Sequence, residues 1–179
     1  STGCIQGPND QIIKPKDAKK MDYEVEVAII IGKKGKYISL EKAQEYVFGY
    51  CIVNDISERS WQKERGGQWI KGKSIAGPCG PYLVTKDEIK DINSINLSLD
   101  VNRQRRQTGN TKRMIFNFDF LISHISKFMT LYPGTIITTG TPAGTAMEMS
   151  EPKFLQAGDK LNLKVDFLGE QNHQVVDEN

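Results

Sequence analysis

The segment Asp22-Tyr23-Glu24-Val25-Glu26-Val27-Ala28-Ile29-Ile30-Ile31-Gly32 constrains this chain more than any other. It begins as alternation and ends as an unbroken apolar run, a pattern that fits a β-strand bounded by glycine. Side chains at i and i+2 share one face of a strand. Glu24 and Glu26 therefore project together, while Tyr23, Val25 and Val27 face the other way. Two adjacent carboxylates repel and raise each other's pKa unless a cation sits between them. Taken alone, the pair reads as the wet face of a half-buried strand. The same face continues with Ala28 and Ile30, however, and carboxylates at the end of an apolar stripe suggest the mouth of a pocket.

Residues 50–54 form a second apolar strand, and residues 81–85, 97–102, 135–139 and 161–167 read as further strands. Ser39 caps a predicted helix through Tyr46, closed by Gly49. Residues 57–65 read as a short polar helix or loop ending at Gly66-Gly67. Phe118, Leu121, Ile122, Ile125 and Phe128 are spaced as one face of a helix over residues 118–128. Many strands and two or three short helices, without sustained strand–helix alternation, predict an α+β domain built on a mixed β-sandwich or β-roll. At 179 residues the chain reads as one domain, residues 1–179, with residues 1–20 an extended lead-in.

Composition excludes several function classes. The formal charge is +2, the lysines are dispersed, and no basic stripe has stacking aromatics beside it, so nucleic acid is not an expected partner. Gln104-Arg105-Arg106 falls in an expected hairpin, where paired arginines are solvated. No apolar run reaches the roughly 20 residues of a membrane helix. Cys4, Cys51 and Cys79 have no CxxC spacing and read as thiols in a reducing compartment, the cytoplasm or, in a eukaryote, the mitochondrial matrix.

Other residues can carry chemistry. Asp55 directly follows the 50–54 strand; alone it could merely cap the next turn, but with Glu24 and Glu26 it completes three carboxylates, a donor set suited to Mg²⁺, Mn²⁺ or Ca²⁺. Lys73, in a Gly- and Pro-rich stretch, could hold a substrate carboxylate or enolate, although a surface lysine is the plainer reading. Thr138-Thr139-Gly140-Thr141-Pro142-Ala143-Gly144 follows a strand and offers hydroxyls and N–H groups to an anion, or is simply a tight turn. It is not a phosphate-binding P-loop, because no Gly-Lys-Ser/Thr follows. His124 reads as a surface residue and His173 as part of a terminal strand or tail. No Cys/His spacing fits zinc.

Taken in order, six stretches resemble the fumarylacetoacetate hydrolase family. They are the 22–32 segment, Gly49-Tyr50-Cys51-Ile52-Val53-Asn54-Asp55-Ile56-Ser57-Glu58-Arg59, Gln107-Thr108-Gly109-Asn110-Thr111, Met114-Ile115-Phe116, residues 133–144, and Phe154-Leu155-Gln156-Ala157-Gly158-Asp159. The resemblance implies metal ligation by Glu24, Glu26 and Asp55, substrate contacts at Gln62, Lys73 and Thr141, a β-roll or sandwich, and a homodimer. Glu64-Arg65-Gly66-Gly67-Gln68-Trp69 is similar to a subgroup that hydrolyses 2,4-diketo-3-deoxy sugar acids. That implies a metal-dependent hydrolase cleaving a C–C bond in a β-diketo acid. A 2-keto acid decarboxylase, an enol–keto isomerase and an inactive metal-binding domain are the alternatives. Two departures accompany the resemblance. The stretch from Lys73 to Pro81 is shorter than in relatives and lacks their Asp. The lid of relatives, with its His and Glu, is expected to be missing ahead of Ser1.

Overall fold

The computed structural model describes residues 2–64 and 75–179. Among them, twelve strands fall into two five-stranded sheets and one two-stranded ribbon. In the first sheet the order is β1 (Ile5–Gln6), β7 (Gly77–Thr85), β5 (Val47–Asn54), β4 (Val25–Ile31) and β10 (Ile136–Thr138). In the second it is β2 (Ile12–Lys14), β12 (Gly169–Asp177), β11 (Lys160–Val165), β8 (Asn96–Val101) and β9 (Gln104–Asn110). β3 (Met21–Asp22) pairs with β6 (Ser57–Glu58). The fold is α+β with mixed sheets and few helices, as expected.

The apolar run of β4 explains its place. Every residue of Val25–Ile31 is buried, because the strand lies inside its sheet between β5 and β10 and is covered on both faces. Val25, Val27, Ile29 and Ile31 enter a core shared with Leu99, Leu161 and Leu163 of the second sheet. Ala28 and Ile30 face the opposite way and pack with Cys51 and Val53. The expected single strand over residues 22–31 is in fact two. The chain pairs first with β6 and then with β5, and Tyr23 and Glu24 stand between the two ladders.

Other boundaries differ for identifiable reasons. The expected capped helix after Ser39 is a 3-10 run, Leu40–Tyr46, and Ser39 makes no side-chain cap. Only Ala43 is buried in it, so little apolar surface favours a longer helix; its end is fixed instead by Gly32 donating to the Tyr46 carbonyl at 2.7 Å. Arg105 and Arg106 lie in β9, not in the turn. The turn between β8 and β9 uses Asn102 and Arg103, with φ of 50° and 65°. The lead-in also contributes two strands: β1 runs parallel to β7, and β2 parallel to β12. Glu58 caps the short helix α1 (Arg59–Lys63) by accepting from Trp61 N.

Helix α2 (Phe118–Phe128) begins at Asn117, whose side chain accepts from Phe120 N. It buries Phe118 and Ile122, and the Phe118 ring meets Tyr50 edge-on at 5.6 Å. Phe128 does not belong to that buried face: it is 71% exposed. Phe116, Phe120, His124 and Phe128 instead form a row of ring contacts along the outer side of the helix, as i, i+4 spacing allows. His124 is exposed, as expected. His173 is buried on β12, with Nδ1 3.0 Å from the Asp10 carbonyl and Nε2 3.1 Å from Gln171 Oε1. Burial pushes its pKa down, against the pull of Asp10. No helix among the described residues is long and apolar enough to cross a membrane.

Candidate metal centre

The antiparallel pairing of β4 and β5 creates the site. Val25 lies opposite Asn54 and Glu26 opposite Val53. At the end of this ladder Asp55 N donates to the Glu24 carbonyl at 3.0 Å, and Asn54 Oδ1 accepts from Glu24 N at 3.2 Å. The two chain segments are thereby locked side by side where their acidic residues occur. Glu24, Glu26 and Asp55 each present a carboxylate oxygen, and these oxygens all lie within 4.8 Å of one another. Glu24 is 8% exposed and Glu26 2%, so the wet strand face allowed by sequence is replaced by a buried acidic cluster.

Two groups hold carboxylates of this cluster in place, Arg59 for Glu24 and the Gly140 N–H for Glu26. Arg59 donates from Nη2 to Glu24 Oε1 at 2.7 Å, from Nε to Asp22 Oδ2 at 2.9 Å and from Nη1 to Gln62 Oε1 at 3.1 Å. Burial opposes the charge of this guanidinium, but Glu24 and Asp22 outweigh it and raise the pKa of Arg59. Asp22 is fully buried and also accepts N–H groups from Tyr23, Ala146 and Met147. Glu26 Oε2 accepts from Gly140 N at 2.7 Å. The N–H that the 138–144 loop could have offered to an anion is thus directed at a carboxylate of the cluster.

Thr141 sits at the same strand end. Its hydroxyl donates to the Val25 carbonyl at 2.9 Å and accepts from Gln107 Nε2 at 2.8 Å. Gln107 in turn accepts from Val25 N and donates to the Pro142 carbonyl. Gln62 is buried on α1 against Arg59. Lys73 lies outside the described residues. Asp22, Arg59 and Gln107 complete the site, yet sequence patterning alone gave them no role. Asp22 and Gln107 lie within strands, and Arg59 opens a helix, where polar residues are ordinarily solvated. The signal that could have found Arg59 is a cation following Asp55 closely enough to return to the strand carrying Glu24.

The donor set fits a hard divalent cation. Carboxylate oxygens are the preferred ligands of Mg²⁺, Mn²⁺ and Ca²⁺, and second-layer hydrogen bonds of the kind made by Arg59 and Gly140 orient such ligands. Asp55 also lines a cavity of about 560 Å³ that runs past Val53 and Cys79, a volume within the usual range of small-molecule sites.

Tyr23 connects this region to the neighbouring loop. Its hydroxyl donates to the Gly144 carbonyl at 3.2 Å. Gly144 has φ of 108°, and a Cβ there would fall 2.1 Å from the Arg106 carbonyl oxygen, so only glycine fits. Burial, helped by Asp22, raises the Tyr23 pKa to about 12, and burial raises Tyr50 to about 12 as well. A pKa raised in the folded state contributes stability that is complete below the unfolded value of 10 and is lost as pH rises through the folded value. Stability should therefore decline between pH 10 and about 12. In a denaturant series the decline should be smaller in Tyr23→Phe than in the wild type; equal declines would contradict the assignment.

A family model for the fumarylacetoacetate hydrolase C-terminal region matches residues 2–176. The chain belongs to this family. A Burkholderia cenocepacia protein provisionally named a hydrolase is 50% identical over 173 residues, covering 95% of this chain and 61% of its own. This chain thus spans about three fifths of that relative's length. The solved fumarylacetoacetate hydrolase of Exiguobacterium antarcticum is 39% identical, with a TM-score of 0.94 over 99% of this chain and 65% of its own. A solved 2-hydroxyhepta-2,4-diene-1,7-dioate isomerase from Mycobacterium marinum is 33% identical, with a TM-score of 0.89 over 99% of this chain and 67% of its own. Members of the family commonly bind divalent metals.

Proposed function

We propose that residues 1–179 form one catalytic domain of a divalent-metal-dependent hydrolase that cleaves a C–C bond in a 2,4-diketo acid. The observation that carries this reading is the convergence of Glu24, Glu26 and Asp55 within 4.8 Å, two of them buried, in a member of the fumarylacetoacetate hydrolase family. Bound there, Mg²⁺, Mn²⁺ or Ca²⁺ would supply Lewis acidity toward the keto and carboxylate oxygens of a 2-keto acid. The chain's own residues do the rest. Glu24, Glu26 and Asp55 would hold the cation. Arg59 keeps Glu24 oriented, and the Gly140 N–H does the same for Glu26. By family resemblance Lys73, Gln62 and Thr141 would contact the substrate, where donors near a developing oxyanion stabilise it. The Thr141 hydroxyl proton is engaged with the Val25 carbonyl, so Thr141 would approach substrate by exchanging that bond or through its backbone. In the net reaction water adds at the 4-keto carbon and the bond between C3 and C4 breaks. The products are a carboxylic acid and a pyruvate enolate that takes up a proton. A second copy of the chain is the expected protein partner.

A second reading, isomerisation of an unsaturated keto acid, is favoured by the likeness to the Mycobacterium marinum isomerase. The two differ in mass balance. With Mg²⁺ and a 2,4-diketo acid, hydrolysis should release pyruvate in step with substrate loss, as read by a coupled lactate dehydrogenase assay. Conversion of an unsaturated hydroxy diacid without pyruvate release, together with inert diketo acids, would replace the hydrolase reading by the isomerase.

A further inference from the structure

Cys51 on β5 and Cys79 on β7 face each other across adjacent strands with their sulfurs 3.3 Å apart. Neither is needed for the chemistry above. A disulfide has its sulfurs about 2.05 Å apart, so bonding requires an approach of about 1.3 Å, which rotamer adjustment and a small strand shift can supply. The pairing of β5 and β7 is irregular between Tyr50 and Ile52, at Cys51 itself, so the ladder is loosened on the side that faces Cys79, while Cys51 stays in register with Ala28 of β4 on the other. The two thiols are unequal in access. Cys51 is 2% exposed, whereas Cys79 is half-buried and lines the cavity that Asp55 also lines. Cys4 lines the same cavity.

We propose that Cys79 and Cys51 are an oxidisable dithiol, in which Cys79 meets a hydroperoxide entering the cavity and Cys51 resolves it as an intrachain disulfide. The Cys79 thiolate attacks one peroxide oxygen and the O–O bond breaks. Cys79 becomes a sulfenic acid, and the other oxygen leaves as water or an alcohol after taking a proton. The Cys51 sulfur then attacks the Cys79 sulfur, the S–O bond breaks, and the hydroxide takes the Cys51 proton to leave as water. Two thiols lose two electrons and two protons, and the peroxide gains them. The asymmetry suits these roles. Either sulfur can donate in the 3.3 Å contact; a Cys51 thiol donating to Cys79, with help from the Gly80 backbone, lowers the Cys79 pKa against the cost of its burial. That same bond, with burial, pushes Cys51 up. The thiolate is the reactive form, so the accessible sulfur is also the reactive one.

The test is hydrogen peroxide added to the reduced full chain at neutral pH, followed by thiol counting and peptide mapping. The expected result is loss of two of the three thiols, recovery of both with dithiothreitol, and a single cross-linked peptide pair joining Cys51 to Cys79. In Cys51→Ala, dimedone should trap a sulfenic acid at Cys79. In Cys79→Ala, peroxide consumption should slow by about tenfold or more. A disulfide involving Cys4, an intermolecular disulfide, or thiol loss no faster than in a cysteine peptide would overturn the proposal. The readouts do not depend on metal or keto acid, so failure here and failure of the hydrolase reading are distinguishable.

Discussion

Replacing Arg59 with Met should destabilise the fold by about 3–5 kcal/mol, the usual cost of stranding buried charges by deleting one partner. Arg59 is 4% exposed at its side chain and bridges Asp22, which is 0% exposed, and Glu24, at 10%. Its removal leaves two carboxylates in a desolvated site beside Glu26 and Asp55. Asp22 keeps its three backbone donors, but Glu24 loses its bond to the guanidinium. For a chain of this size the melting temperature should fall by roughly 10 °C or more. The control is Arg105→Met. Arg105 pairs with Asp100 while 55% exposed, and exposed pairs contribute about 0–1 kcal/mol. Calorimetry of the two variants should separate them clearly; similar small losses would mean that Arg59 does not carry the buried network.

Glu26→Gln should affect metal affinity and stability in opposite directions. The amide oxygen can still accept from Gly140 N, so the local fold survives, but the ligand charge is gone. Losing an outer hydrogen-bonding partner costs metal sites about 10–100-fold in affinity, and losing a ligand should cost about 100-fold or more. Without metal, however, the same change removes one of three negative charges clustered within 4.8 Å, and relief of like-charge repulsion should leave the variant as stable as the wild type or more so. Metal at 100 times its dissociation constant should add about 2.7 kcal/mol to the wild type and little to the variant. Keto-acid turnover should fall with metal occupancy. Melting curves with and without Mg²⁺ check both directions. A variant destabilised equally in both conditions would assign Glu26 a structural role.

The buried strand β4 was legible because seven consecutive residues obey one constraint, burial on both faces, and leave an apolar signature that period and composition reveal. Its two glutamates were legible as neighbours on a face, while their burial was not, because the alternation Glu-Val-Glu is equally that of a wet strand. Only the pairing of β5, which brings Asp55 alongside, turns the face into a site. Arg59 and Gln107 were opaque for the same reason: each acts on residues tens of positions away, and nothing local distinguishes them from solvated polar groups. The short strands of the lead-in were missed as well, and for β12 the sequence leaves a terminal strand and a tail both open. In β12 the buried positions include Gln171 and His173, so its inward face does not look apolar. Gln171 is there to donate to the carbonyls of Ile52, Pro78 and Gly80 in the other sheet. The exposed aromatic row on α2 misled the helix-face reading in the opposite sense, since Phe128 has the spacing of a core residue and stacks outside.

The proposed chemistry turns on the joint binding of one divalent cation by Glu24, Glu26 and Asp55. The most direct measurement of that binding is anomalous diffraction from crystals of this chain soaked with Mn²⁺. A single strong peak should appear among the three carboxylates, with oxygens at about 2.0–2.6 Å, and should vanish in Glu26→Gln. A saturating soak that leaves the cluster without a peak, or that places Mn²⁺ on other residues, would contradict the account.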